Sequence, residues 1–229
     1  MKIAIAALGV SLVGATASAQ GTFSPPQGCQ GALTIQNRGC LMTHIWTCEQ
    51  DAPGMQWVAL FGEEGPFQVK RVDTDFQWLT TYYQNPVRRE DMVVPATDPA
   101  SVTELLETGY DTYDFTVIPD RDGIAANRYV GFDRITGETV VDGEPLLTTE
   151  YGFDVVAPDG TVRYRREGRQ YVSAVHRIFV LGESWFASEP DNVRDARPVE
   201  FLYPGDAGFF AQRPKYDCSF MMSSWEGAQ

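Results

Sequence analysis

With 31 acidic against 18 basic side chains, this 229-residue chain carries a net charge of −13, a field that repels phosphate backbones and argues against nucleic-acid binding. Its hydrophobic fraction of 43% can fill a sizeable core, and beyond the first residues no apolar run approaches the ~20 needed to span a bilayer.

The chain begins with an export address. Lys2 supplies a positive start, Ile3 to Val13 is almost unbroken apolar sequence, and Ala17-Ser18-Ala19 precedes Gln20. That order predicts a secretory signal peptide over residues 1–19, removed to leave a periplasmic or secreted protein. No cysteine stands at the cleavage point, so a lipid anchor is not expected. Residues 20–31, with Pro25 and Pro26, read as an extended N-terminal arm. Residues 32–229 read as one β-rich domain, because no Ser/Gly-rich or Pro-rich linker divides them.

Cys29, Cys40, Cys48 and Cys218 form an even set, which in an oxidising compartment predicts two disulfides. Gln36-Asn37-Arg38-Gly39 reads as a type I turn closed by a left-handed glycine, joining a strand over 32–35 to one over 40–48. Folding the hairpin about that turn sets Cys29 opposite Cys48 and leaves Cys40 to tie the hairpin to Cys218. The spacing Cys40-x3-His44-x3-Cys48 also invites a zinc site. On a strand, however, those positions span about 26 Å and cannot meet at one ion, so no metal is expected.

Period-two alternation and turn pairs then dominate. Strands over 55–61 and 66–72 flank Gly62-Glu63-Glu64-Gly65, and 76–83 continues with aromatic and β-branched residues. One short helix is predicted at about 99–108. Asp98-Pro99 starts it, Ser101 and Glu104 form a capping box, Val102, Leu105 and Leu106 make the apolar stripe, and Gly109 ends it. Strands follow over 112–118 and 128–135, a turn at Thr136-Gly137 leads to 138–141, and Asp142-Gly143 leads to 146–156. Asp159-Gly160 turns into 161–166; both Asp-Gly pairs suit a type I′ turn. Gly168 marks a further turn before a strand over 170–181, on which Tyr171 and Phe179 share a face. Neither face of that strand is purely polar, so it is central or lines a cavity. Residues 187–198 read as a charged surface loop, and 199–203 and 209–212 as late strands.

The expected fold is mainly β: a single antiparallel meander sheet, curved or partly closed into a barrel, with the helix packed on it or plugging it. At the level of fold alone, such a meander with one helix resembles the half-barrel lipoprotein carriers of the periplasm.

Catalytic signals are sparse. His44 and His176 are the only histidines, and a strand histidine is most often a half-buried, hydrogen-bonded group. Gly182-Glu183-Ser184-Trp185-Phe186 begins like a nucleophile elbow but lacks its closing glycine. Asp111, Asp114, Asp120, Asp122, Asp133 and Asp142 supply carboxylates for hydrolytic chemistry, which needs two of them at a fixed separation. Asp120-Arg121-Asp122-Gly123 looks like part of a calcium loop, but Gly131 stands where the closing acid belongs.

The function expected first is an exported, soluble, non-enzymatic protein that binds an apolar small molecule, a lipid or an envelope partner protein, without a cofactor. Trp78, Tyr151, Phe153, Tyr171, Phe179 and Trp185 are its candidate ligand contacts, since 13 Phe, 10 Tyr and 5 Trp exceed the needs of one core. The alternatives are a secreted hydrolase using carboxylates or His176, and a structural or interaction domain with no pocket. A deep aromatic cavity favours the first, paired buried carboxylates the second, and neither feature the third.

Overall fold

The computed structural model describes residues 21–121 and 123–218; the expected signal peptide and Asp122 lie outside the described residues. The strands in chain order are β1 (Cys29–Asn37), β2 (Leu41–Cys48), β3 (Gln56–Gly62), β4 (Gly65–Val72), β5 (Trp78–Gln84) and β6 (Val87–Met92). After helix α1 (Val102–Thr108) come β7 (Tyr110–Pro119), β8 (Asn127–Val141), β9 (Glu144–Val156), β10 (Val162–Ser173), β11 (Ile178–Phe186), β12 (Glu189–Asp195) and β13 (Pro198–Leu202).

These strands make one antiparallel sheet of 13, in the order β12-β11-β10-β9-β8-β7-β6-β5-β4-β3-β2-β1-β13. From β1 to β12 each strand pairs with the next in sequence, which is the expected meander. The sheet is not closed, yet its two edge strands are consecutive in the chain. Only Ala196 and Arg197 separate β12, which pairs with β11, from β13, which pairs with β1. Ala196 N donates to Gly182 O at 3.0 Å, and Arg38 N donates to Arg197 O at 2.9 Å, so this joint is bonded to both sides of the gap.

The curl follows from what the inner face buries. Leu33 and Ile35 of β1, Val58 of β3 and Val72 of β4 share one cluster with Val172 of β10, Ile178 of β11 and Phe201 of β13. Residues from opposite ends of the strand order can meet only if the sheet rolls on itself. Val102 and Leu105 of α1 enter the same cluster at 0% exposure, and each contributes about 1.5–3 kcal/mol by leaving water. A helix of 7 residues has no stability alone, so this packing is what holds it.

The caps of α1 are as predicted in part. Ser101 Oγ accepts from Glu104 N at 3.0 Å and Gly109 ends the helix at φ 81°. The return arm of the capping box is replaced, because Ser101 N donates to Asp111 Oδ2 at 3.0 Å. The helix accordingly starts at Val102, after the Asp98-Pro99 pair.

A second layer covers the outer face of β1–β3. Met42, Trp46, Ala59 and Phe61 pack beneath Phe210 and Ala211 of the C-terminal segment and Phe23 of the N-terminal arm. Both faces of these strands are therefore buried, which explains why Leu33 to Asn37 and Met42 to Trp46 show no polar side. His44, at 0% exposure, fastens this layer. Its Nε2–H donates to Ala211 O at 2.9 Å, Nδ1 accepts from Thr34 Oγ1 at 2.8 Å, and Phe210 N donates to that same hydroxyl at 3.0 Å. Burial drives the imidazole down to about 4, against the pull of the Ala211 carbonyl.

Both disulfides are as expected. Cys29 faces Cys48 across the β1–β2 ladder with Cα atoms 3.9 Å apart, and Cys40 joins Cys218, 178 residues away, with Cα atoms at 4.5 Å. The turn between them is Arg38–Cys40, with both Gly39 (φ 68°) and Cys40 (φ 56°) left-handed.

Several boundaries differ from the expectation. β8 runs unbroken through Thr136-Gly137, absorbing those residues in a bulge after Ile135. Asp142-Gly143 is the expected type I′ turn, with φ 50° and 83°. At Asp159-Gly160 only the glycine is left-handed, and Gly160 N donates to Ala157 O at 2.9 Å, so the turn is type I closed by Gly160. Gly168 is no turn but lies inside β10, and the chain reverses at 174–177, so the strand expected over 170–181 is two strands. A Cβ at Gly168 would stand 2.6 Å from the Tyr151 ring and 2.3 Å from the Glu183 carbonyl oxygen. Glycine is there for close approach. The charged loop expected at 187–198 is edge strand β12 and the start of β13. Charged residues and Pro190 are what an exposed edge carries to resist pairing with other chains. Residues 209–212 form no strand, only a single bridge from Ala211 to Thr22. β6 was not expected at all.

A candidate ligand cavity inside the curled sheet

Antiparallel partners share a face, so the register of β7 to β10 decides what points inward. Phe115 pairs with Tyr129, Tyr113 with Gly131, and Asp111 with Asp133. One strand on, Gly131 pairs with Phe153 and Asp133 with Tyr151, and then Phe153 with Arg166 and Tyr151 with Gly168. This ladder aims a band of rings and a few polar groups at the opposite wall, where Lys70 of β4, Trp78 of β5 and Met92 of β6 stand. Side chains from Leu41 of β2 round to Arg194 of β12 enclose a cavity of about 430 Å³. Small-molecule sites typically measure about 300–1,000 Å³.

The rings form a continuous chain. Trp78 meets Phe115 and Tyr129 edge-on, each at 5.8 Å between centroids. Phe115 stacks on Tyr129 at 5.2 Å, Tyr129 tilts against Phe153 at 5.7 Å, and Phe153 stacks with Tyr151 at 6.1 Å. Gly131 and Gly168 make room for it, since Tyr113 and Tyr151 lie across them where side chains would stand.

Polar groups are few and their proton affinities are displaced. Asp133, 4% exposed, accepts from Gln170 Nε2 at 2.8 Å. Burial raises it to about 7 despite that bond, and Asp111 raises it further. Asp111, 1% exposed, is raised to about 6, again first by burial. Its Oδ2 serves the start of α1, and its Oδ1 has no hydrogen-bond partner among the described residues. Directly opposed on adjacent strands, these carboxyls disfavour double ionisation. Lys70 Nζ sits 3.3 Å from the centre of the Trp78 ring, and desolvation lowers the amine to about 7, with Glu90 acting the other way. Burial likewise pushes Tyr113 and Tyr129 up.

Of the six aromatic residues singled out from sequence, Trp78, Tyr151, Phe153 and Phe179 line this cavity. Tyr171 does not line it, although like Trp78 and Phe179 it packs against the core cluster, and Trp185 lies at a separate depression on the other face of the sheet, donating to Glu167 Oε2 at 3.3 Å. The turn at 174–177, placed after Ser173 rather than before Gln170, separates Tyr171 from Phe179. Sequence reasoning passed over Lys70, Tyr113, Tyr129, Arg166 and Gln170. Alternation offered a signal for two of them, because Tyr113 and Phe115, like Tyr129 and Asp133, share a face of their strands.

The remaining catalytic candidates have structural partners. His176 Nε2 donates to Tyr203 Oη at 3.0 Å, and Tyr203 donates to Glu144, tying the β10–β11 turn to the end of β13. Asp114 pairs with Arg128, Asp120 accepts from Arg89 N at 3.1 Å, and Asp142 accepts from Phe201 N at 2.9 Å. Cys40 and Cys48 are oxidised, and no group of three or more His, Cys, Asp or Glu among the described residues is placed to hold a metal ion. No family model, curated protein or solved structure matches the chain.

Proposed function

We propose that this chain is an exported, non-enzymatic carrier or binding protein that takes a small, mainly apolar molecule into the curl of its sheet. The observation that carries the reading is the cavity: about 430 Å³, walled by residues of β2 to β12 and lined by a connected chain of rings with few polar groups. At Gly131 and Gly168 the absent side chains let the Tyr113 and Tyr151 rings lie flat along the wall. The two disulfides fit an oxidising, extracytoplasmic setting, and no helix among the described residues is long and apolar enough to cross a membrane. Together with the leader-like residues 1–19 they support a periplasmic or secreted location.

Native mass spectrometry of protein purified from its own compartment without detergent tests the reading. The expected result is an adduct that organic solvent removes and an added hydrophobic dye replaces. Ligand-free mass throughout, with no dye retained, ends it. A double variant, Phe153→Leu with Phe179→Leu, should lose dye while melting within a few degrees of the wild type; melting loss in proportion to dye loss marks these rings as core. The hydrolase reading draws on the opposed Asp111 and Asp133. Ester or glycoside hydrolysis abolished by Asp133→Asn would favour it over the carrier.

A further inference from the structure

The cavity is more cationic than the chain around it. The chain carries −13 overall, yet the charged residues in the cavity wall are Lys70, Arg166 and Arg194 against one carboxylate, Asp133. Many arginines elsewhere meet acids, as Arg88 takes Glu90, Arg128 takes Asp114, Arg134 takes Glu150 and Arg197 takes Asp195, although among the described residues Arg71, Arg121 and Arg163 do not. The three cations of the wall form no such pair among the described residues. Lys70 Nζ rests on the Trp78 ring, and Arg166 gives one N–H to Ser184 Oγ at 2.7 Å. Arg194, exposed on β12, lies at the rim. Asp133 is poorly suited to neutralise them, because burial holds its proton to about 7. Burial lowers the Lys70 amine to about 7, and the pull of Glu90, which is itself paired with Arg88, does not offset it. A cation held against an aromatic face in a desolvated wall gains most from an anion brought in with its own apolar body.

We propose that the cavity takes an amphiphile with an anionic head, a carboxylate or phosphate on an apolar tail. Lys70 is the head-group contact, Arg166 and Arg194 add positive potential, and the Trp78, Phe115, Tyr129 and Phe153 rings surround the tail. This rests on the carrier reading and narrows it to a ligand class.

Calorimetric titration of the full mature chain with decanoate, decyl phosphate and 1-decanol tests it, on the wild type and on Lys70→Met and Lys70→Gln. The wild type should bind at least one anion about tenfold or more tightly than the alcohol, the advantage of a charge-assisted hydrogen bond. Both variants should bring that anion down to the level of decanol. Preference for decanoate points to free fatty-acid-like ligands, and preference for decyl phosphate to phospholipid-like ones. Equal binding of all three by the wild type overturns the head-group inference and leaves the carrier standing; this comparison needs no variant to fold. An anion preference that survives in both variants removes Lys70 from the role. Binding of none by a protein with native circular dichroism overturns the carrier reading and this inference with it.

Discussion

Replacing Lys70 by Met should make the ligand-free protein more stable. The amine falls from 10.5 to about 7 in the folded chain, and at about 1.4 kcal/mol for each tenfold change in proton affinity the buried charge costs at most ~5 kcal/mol. Two features reduce that ceiling. Lys70 borders a cavity that water can enter, and the Trp78 face returns about 0.5–2 kcal/mol as a cation–π contact. A net gain of about 1–3 kcal/mol remains for a methionine of similar shape, or roughly 3–10 °C in Tm for a chain of this size. The pH dependence carries a sign. A folded value below the unfolded one means that stability is complete above 10.5 and is lost as pH falls toward about 7. The advantage of Lys70→Met should therefore be largest near pH 7 and shrink as pH rises toward 10. Thermal melts at pH 7, 8.5 and 10 measure both effects. A variant that melts lower than the wild type at pH 7, or an advantage that does not change with pH, would refute the view that this ammonium is uncompensated.

Acid should loosen the terminal layer through His44: with the folded value at about 4 and the ordinary histidine value at 6.5, stability is full above pH 6.5 and falls by about 3 kcal/mol by pH 4. Urea midpoints across that range should show the fall, and His44→Gln should flatten it. Asp133 works in the opposite sense, its raised value leaving stability full below 3.8 and losing it as pH rises through about 7. Asp133→Asn should thus raise the urea midpoint at pH 8 and leave it nearly unchanged at pH 4, while a lower midpoint at pH 8 would mean that the carboxylate is needed ionised. Cys218→Ser opens a closure spanning 178 residues, for which chain entropy predicts a loss of roughly 4–5 kcal/mol. Trypsin should then cut after Lys215 at low enzyme, before the sheet itself is cleaved; an unchanged digestion pattern would show that the segment is held without the bond.

The parts of the fold that could be read from the chain are those decided by neighbours in sequence. The β1–β2 hairpin was legible, although its turn falls at Arg38–Cys40 rather than Gln36–Gly39 and a bulge between Gly31 and Leu33 is needed to set Cys29 opposite Cys48; Asp142-Gly143 specifies its own turn. Reading failed where the answer lies across the sheet. Val87–Met92 was not expected as a strand; it carries the charged Arg88 and Glu90, yet Arg88 pairs with Glu90 and stacks over Tyr83, whose hydroxyl donates to Glu90 at 3.2 Å. Gly168 carries the same letter whether it bends a turn or lies beneath a ring, and only Tyr151, directly opposite on the next strand but 17 residues away in sequence, distinguishes the two. The cavity aromatics of β9 were legible from alternation, but the company they keep was not. Lys70 becomes informative only when the sheet has rolled far enough to place it opposite Arg166 and among rings from β7 and β8.

The division of the sheet follows from what such an interior costs. Aromatic rings facing a void and a desolvated ammonium with no acid among the described residues in direct contact forgo packing and solvation that a filled core would supply. Stability has to come from elsewhere, and the structure concentrates it on β1–β3. There the inner cluster, the outer layer of Phe23 and Phe210, the buried His44 and both disulfides act on the same strands. On β7 and β8 several outward positions, among them Thr112, Val130, Arg128 and Arg134, are exposed to solvent. One side of the curl is thus sealed on both faces and cross-linked, and the other is a single wall between solvent and cavity. Substitutions at His44 or Cys218 should accordingly lower the melting temperature more than ligand retention, and substitution at Phe153 the reverse, while Lys70→Met should lose the ligand without losing stability. A protein whose interior served only as its core would show no such separation, because every inward residue would then count toward stability.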